Sequence, residues 1–287
     1  MTISSPFIRS VGEGENVVCL HSSLGSSKQW SDLMERLRHR YRVSATDLFG
    51  YGKSPCWDAG RPFSLDDEVD LLAPVLDSLS GPIHLVGHSY GGAVALRTAQ
   101  RYGDRIRSLC VYEPVAFSLL FAESRSRRAS REIRRIVDIV GQDYRAGRHS
   151  QATGKFIDYW SGPGAWSQFS GQQQQSLSAR IGTVLANFEA LASNRGNLTR
   201  LCDTNVPTLC LHGMESPRPG VEIAAILGRE LPRVSVKPLA GMGHMGPITH
   251  AGPVNLLIES FLRDRQSDYA GQAVPLAART RACRLAA

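Results

Sequence analysis

The sequence predicts an α/β fold, built on a mostly parallel, doubly wound sheet with helices over both faces. Two observations carry this. Short apolar runs alternate with stretches of helical periodicity along most of the 287 residues. The runs are almost continuously apolar, as strands buried on both faces must be, instead of alternating like half-exposed ones. A third observation bounds the prediction: between Pro114 and about Asn205 the alternation stops and several helices follow one another.

Taken in order, "NVVCLHS" (16–22) reads as a strand, and "SKQWSDLMERLRHR" (27–40) as an amphipathic helix. "YRVSATDLF" (41–49) is a second strand, followed by a Gly-rich loop. The helix "SLDDEVDLLAPVLDSL" (64–79) then begins, with Ser64 placed to cap its acidic first turn. "PIHLVGHS" (82–89), a helix from Tyr90 and the strand "IRSLCVYEP" (106–114) continue the rhythm. After the interruption come "PTLCLHG" (207–213), the helix "VEIAAILGREL" (221–231), the strand "RVSVKPLAG" (233–241) and the helix "PVNLLIESFLR" (253–263). An insertion as long as 114–205 at one loop of a parallel sheet is expected to cover a site. It contains "FSLLF" (117–121), Trp160, Trp166 and Phe169. These aromatics line a pocket or form the insertion's own small core, and the sequence leaves both readings open. The sequence after Arg265 lacks periodicity and is expected to be disordered.

Composition narrows the function classes. At 42% apolar, the chain is able to bury a sizeable core. No run reaches the roughly 18–20 apolar residues of a membrane span, and no apolar segment follows a basic start at the N-terminus. The net charge of +7 owes part of its excess to Arg127, Arg128, Arg131, Arg134 and Arg135. These recur at helical spacing opposite Ile133, Ile136, Val137 and Val140, which marks a solvated helix face and not a nucleic-acid stripe. Six cysteines (19, 56, 110, 202, 210, 283) show no C-x-x-C pair and no metal-ligand rhythm. Three of them, Cys19, Cys110 and Cys210, sit in strand-like runs, where free cysteine acts as a small hydrophobe. The reading is a cytoplasmic, reduced protein without metal or cofactor, neither nucleic-acid- nor membrane-bound, monomeric or homodimeric, and acting on a small molecule.

The chemistry concentrates in "LVGHSYGGAVALR" (85–97), where a glycine-rich break separates a strand from a helix. A serine hydroxyl becomes a nucleophile only when exposed, held rigid and hydrogen-bonded to a base. Gly87 and Gly91 let the backbone turn sharply around Ser89, and the helix beginning at Tyr90 aims N–H groups at the place where an anion would develop. By itself the motif also fits a plain turn whose serine caps a helix.

Further motifs follow in order: "LHSSLGSS" (20–27) after a strand, "DLFGYGKS" (47–54) after the next, and "GMGHMG" (241–246) after the last. With these, the chain resembles the α/β-hydrolase family from roughly Phe7 to Arg263. The resemblance implies a sheet of about eight strands with a helical cap after the sixth. The core would comprise 1–113 and 206–264, the cap 114–205, and the tail 265–287. It implies Ser89 as nucleophile and His244 as general base, with the backbone N–H groups of Ser23 and Tyr90 as the oxyanion hole. Ser22 stands where the family's oxyanion loop usually has glycine, a mild departure expected to tighten the loop. Asp47 and Ser54 are expected to tie their loop together, and His21, His84, His88 and His212 to be structural.

The acid is the departure that matters. The family usually carries aspartate in the turn that here reads "LHGMESPRP" (211–219), and the matching residue is Ser216, which holds no charge. Glu113, ending the strand "LCVYEP", occupies the other location used in the family, and Glu215 is the alternative, one residue out of place. An unpaired glutamate at the end of an apolar strand is otherwise costly, which favours Glu113. The resemblance implies hydrolysis of a small to medium, moderately apolar ester or lactone through an acyl-enzyme. C–C bond hydrolysis or perhydrolysis by the same residues is an alternative. A ligand-binding regulatory protein with little turnover is the alternative from another class.

Overall fold

The computed structural model describes residues 5–58, 60–193 and 203–270. Its centre is a seven-stranded sheet: β1 (Ile8–Val11), β2 (Glu15–Leu20), β3 (Tyr41–Thr46), β4 (Ile83–His88), β5 (Ile106–Tyr112), β6 (Thr208–Gly213) and β7 (Val234–Leu239). Their spatial order is β1-β3-β2-β4-β5-β6-β7, and only β1 runs antiparallel, paired with β3. The doubly wound α/β class is the one predicted, with seven strands among the described residues where about eight were expected. β1 is absent from the sequence reading. It is a short edge strand, alternately exposed and half-buried, so "IRSV" carries no apolar run to reveal it.

The central strands explain the order. β4 is buried at every residue and β5 at all but one, so each needs helices on both faces. One face is covered by α1 (Ser31–Leu37) and, after the short α10 (Gly246–Thr249), by α11 (Ala251–Ala270); their Leu33, Leu37, Val254, Ile258 and Leu262 meet Val17, Val43, Val86 and Leu209. The other face carries α2 (Leu65–Ser78), α3 (Tyr90–Tyr102) and α9 (Arg218–Glu230), through Leu72, Val94, Leu96, Ile223 and Leu227. Each such fully buried aliphatic side chain contributes roughly 1.5–3 kcal/mol. α11 continues to Ala270, beyond the boundary expected at Arg265, because no glycine or proline interrupts "DRQSDYA". The rest of the predicted tail, 271–287, lies outside the described residues.

Between β5 and β6 the structure inserts α4 (Phe117–Ala122), α5 (Arg127–Arg145), α6 (His149–Ser161), α7 (Gly171–Ser178) and α8 (Ile181–Ser193). All five arginines singled out on α5 are exposed, while Ala129, Ile133 and Val140 face inward. Cys19, Cys110 and Cys210 are buried and unbonded, and burial pushes their thiols up. Cys202 and Cys283 fall outside the described residues.

Topology places the site. β4 has β2 on one side and β5 on the other, so successive connections leave it in opposite directions and a crevice opens at its carboxyl end. Beside that crevice, α2 turns an acidic residue inward. Ser64 donates its N–H to Asp67 Oδ2 at 2.8 Å, which starts the helix, and Glu68 one residue on is fully buried, receiving the Tyr90 hydroxyl at 3.0 Å.

Burial raises the Glu68 carboxyl from 4.5 to about 8. The folded protein therefore keeps a proton that the unfolded chain releases. Stability from this group declines as pH rises from 4.5, and the penalty is complete above about 8. Glu68→Gln should match the wild type in thermal melts at pH 4 and exceed it by a few degrees at pH 9. A lower Tm for the variant at pH 9 would show instead that the charged carboxylate is needed as an acceptor.

Candidate active site

Ser89 follows β4 directly and opens α3. Its backbone is left-handed (φ 54°, ψ −117°), a conformation that costs about 1–3 kcal/mol for a non-glycine residue and is held only by its surroundings. Those surroundings are visible: the Ser89 N–H donates to Tyr112 O at 2.9 Å, and Gly91 N–H donates to His21 O at 3.1 Å. Gly91 is required by proximity, since a Cβ there would lie 2.4 Å from Leu20 O. The turn thus interlocks β2, β4 and β5.

Three non-glycine residues among those described have positive φ: Leu24, Ser89 and Glu113. The first adjoins Ser23, the second sits in the turn from β4 to α3, and the third ends β5. Such strain gathers where surrounding structure fixes functional groups.

Glu113 has no exposed surface. Its Oε1 accepts the Gly213 N–H at 2.7 Å and the Ser216 hydroxyl, and its Oε2 stands 2.7 Å from His244 Nδ1. His244 Nε2 is 2.9 Å from Ser89 Oγ. The carboxylate fixes the imidazole proton on Nδ1, leaving Nε2 to accept from the serine hydroxyl. The structure therefore brings Ser89, His244 and Glu113 into one hydrogen-bonded chain. Glu215 is exposed and its backbone N–H donates to Met242 O, so it takes no part. Ser216, at the position expected to carry an aspartate, donates to the carboxylate that takes its place.

Gly220 is a contributor that sequence reasoning missed. A Cβ at this position, in the first turn of α9, would lie 2.6 Å from Glu113 Oε2. The glycine is the space in which the longer glutamate side chain lies.

A second polar chain runs behind the site. Ser22 donates both N–H and Oγ–H to Gln29 Oε1 at 3.0 Å; Gln29 Nε2 donates to His88 Nδ1 at 3.0 Å; His88 Nε2 donates to His244 O at 2.8 Å. His88 is neutral, since burial holds its pKa well below the usual histidine value. His21 is likewise neutral, lowered to about 4 by burial, with Nδ1 donating to Ser22 O at 2.7 Å and Nε2 accepting from Leu48 N–H. The serine in place of glycine thus joins the loop of Ser22 to the loop of His244. Asp47 accepts from the N–H groups of Ser27 and Lys53, and Ser54 Oγ donates to Asp47 O, which closes their loop.

The insertion roofs the serine. Ser23, Ser89, Val115, Phe117, Phe156 and Trp160 border a narrow cavity together with Val184, Asn187, Phe188 and Leu191. The Trp160 ring centroid lies 4.1 Å from that of His244. The insertion's aromatics divide: Phe117 and Trp160 line the cavity, whereas Trp166 packs on Gly154 and on Phe169. Among the described residues no three His, Cys, Asp or Glu side chains gather as a metal ion requires, and no helix is long and apolar enough to cross a membrane.

A strained serine at the switch point of a parallel sheet, bonded through histidine to a buried carboxylate, defines the class as an α/β protein with a serine–histidine–acid constellation. The chain belongs to the alpha/beta hydrolase fold family, whose sequence profile matches residues 15–251. It is 27% identical over 265 residues to the pimeloyl-[acyl-carrier protein] methyl ester esterase of Neisseria meningitidis serogroup C, covering 86% of this chain and 93% of that one. It is 33% identical over 148 residues to the lipase LipV of Mycobacterium tuberculosis, about half of each chain. Among solved structures, MenH of S. aureus superimposes with a TM-score of 0.72 at 22% identity, over 93% of this chain and 100% of that one.

The space at Gly220 gives a direct check on the carboxylate. In Gly220→Ala, the far-downfield proton resonance of His244 Nδ1–H should shift or vanish while the far-UV circular dichroism stays that of the wild type. An unchanged resonance would show that Glu113 does not depend on this space.

Proposed function

We propose that the protein is a serine hydrolase acting on a small to medium, moderately apolar ester or lactone through an acyl-enzyme. The observation that carries this reading is the continuous Ser89–His244–Glu113 chain, with separations of 2.9 and 2.7 Å. Ser89 Oγ attacks the carbonyl carbon as His244 Nε2 takes its proton. Glu113 balances the imidazolium, and His244 then gives the proton to the departing alkoxide. Water, deprotonated by the same Nε2, attacks the acyl-enzyme, and collapse returns the proton to Ser89. The backbone N–H groups of Ser23 and Tyr90 hold the oxyanion. This assignment is supported by the commitment of the neighbouring Ser22 N–H to Gln29. The helices of 114–205 act as a cap over the core formed by 1–113 and 206–264. Likeness over 86% of the chain to a protein named as a methyl ester esterase supports ester chemistry.

Two expected outcomes test the reading. With p-nitrophenyl butyrate, Ser89→Ala should lower kcat by roughly 10⁴-fold or more in a folded protein. Glu113→Gln should lower it by roughly 10²–10⁴, and Glu215→Gln by less than about twofold. Retained activity in Ser89→Ala would overturn the mechanism. Stoichiometric phosphonate labelling of Ser89 with no turnover would favour a ligand-binding role. Second, the narrow cavity should favour acetyl and butyryl over octanoyl esters by about tenfold or more in kcat/KM, and a flat chain-length profile would show that the acyl group lies elsewhere.

A further inference from the structure

Apart from Ser23 and Ser89 at its floor, the cavity is lined by apolar and aromatic residues and by one amide that is only half used. Asn187, on α8 and 2% exposed, borders the cavity. Its Oδ1 accepts the Tyr51 hydroxyl at 2.5 Å, and the Ser23 hydroxyl reaches the same oxygen at 3.5 Å. That sets the amide's orientation: Oδ1 is held toward Tyr51 and Nδ2 is turned away from it. Nδ2 is buried and has no hydrogen-bond partner among the described residues. A donor left unpaired in an apolar wall is unfavourable for folding alone and marks a place where a ligand supplies the acceptor.

We infer that Asn187 is a specificity determinant whose Nδ2–H donates to a neutral oxygen, an oxo, ether or hydroxyl group, in the acyl part of the substrate. The inference deepens the hydrolase reading and rests on it. The position argues for the acyl side. Trp160 lies against His244, where the leaving group takes its proton, whereas Asn187 touches Ser23, beside which the carbonyl oxygen is held. A neutral oxygen is favoured over a carboxylate because Val115, Phe117, Phe156, Val184, Phe188 and Leu191 offer no cation to an anion stripped of water. A site built to donate to one oxygen discriminates against the analogue lacking it, whose methylene leaves the amide unpaired.

The test compares p-nitrophenyl methoxyacetate with p-nitrophenyl butyrate, nearly isosteric esters that differ by one oxygen in place of a methylene. The ratio of their hydroxide-catalysed rates gives their intrinsic reactivity. The wild-type enzyme should show a kcat/KM ratio above the hydroxide ratio by roughly tenfold or more, and Asn187→Leu should bring it back to within about twofold of the hydroxide ratio. Both rates come from the same preparation, so a general loss of activity cancels. Should the variant fail to fold, the wild-type ratio decides alone. A wild-type ratio equal to or below the hydroxide ratio, or one that survives in a folded Asn187→Leu protein, overturns this inference and leaves the hydrolase reading standing. Turnover of neither ester by the wild type, with Ser89 unlabelled by an alkyl phosphonate, overturns both.

Discussion

The structure around the site depends on keeping one carboxylate out of water. Glu113 has no solvent to stabilise its charge, and an isolated buried carboxylate would be strongly unfavourable. The fold answers with donors from three separate places: the Gly213 N–H at the end of β6, the Ser216 hydroxyl before α9, and the His244 ring beyond β7. Gly220 adds the volume. Each of these features is of little use without the others, so the end of β5, the end of β6, the start of α9 and the base loop form one unit.

The same reasoning explains the strained backbone. Ser89 and Glu113 both leave their strands through positive φ, which swings each side chain toward His244. Their neighbours hold them there. The Ser89 N–H is bound to Tyr112 O and the Glu113 N–H to Leu211 O, both at 2.9 Å, so each unfavourable turn is anchored by the adjacent strand. The behaviour of the neutral histidines belongs with this. His21 and His88 have both ring nitrogens engaged, one as donor and one as acceptor, and serve as rigid struts in a region where a free charge would compete with Glu113.

How much of this is legible in the sequence follows from range. Ser89 is framed by glycines within a few residues, and His244 stands directly after a strand, so local pattern marks both. The alternation of apolar runs gives the parallel sheet for the same reason, whereas the short edge strand β1 and the extra turns of α11 leave no such mark. Glu113 emerges from the resemblance and from the discomfort of an acid ending an apolar strand. Its supporters do not emerge. Ser216 reads only as a missing aspartate, and Gly220 as a glycine in a helix. Gln29 is one more polar residue in an amphipathic stretch, and Asn187 one of several polar residues in 181–193. Their parts are defined by partners more than 50 residues away, a relation that periodicity and composition do not encode. The aromatics of the insertion are a mixed case, since Phe117 and Trp160 face the cavity while Trp166 and Phe169 pack on one another.

The polar chain from Ser22 to the His244 carbonyl has a bearing on how the proposed nucleophile comes into being. The bonds that end at His244 span 131, 155 and 156 residues. None of them forms by local folding, because each requires β7 to have docked on β6 and the base loop to have settled over β4. A chain still growing or partly opened carries Ser89 as an ordinary alcohol, with no imidazole at hand and no carboxylate to polarise it. On the proposed mechanism, reactivity is therefore switched on by completion of the sheet, and an immature chain has no means of acylating itself or its neighbours.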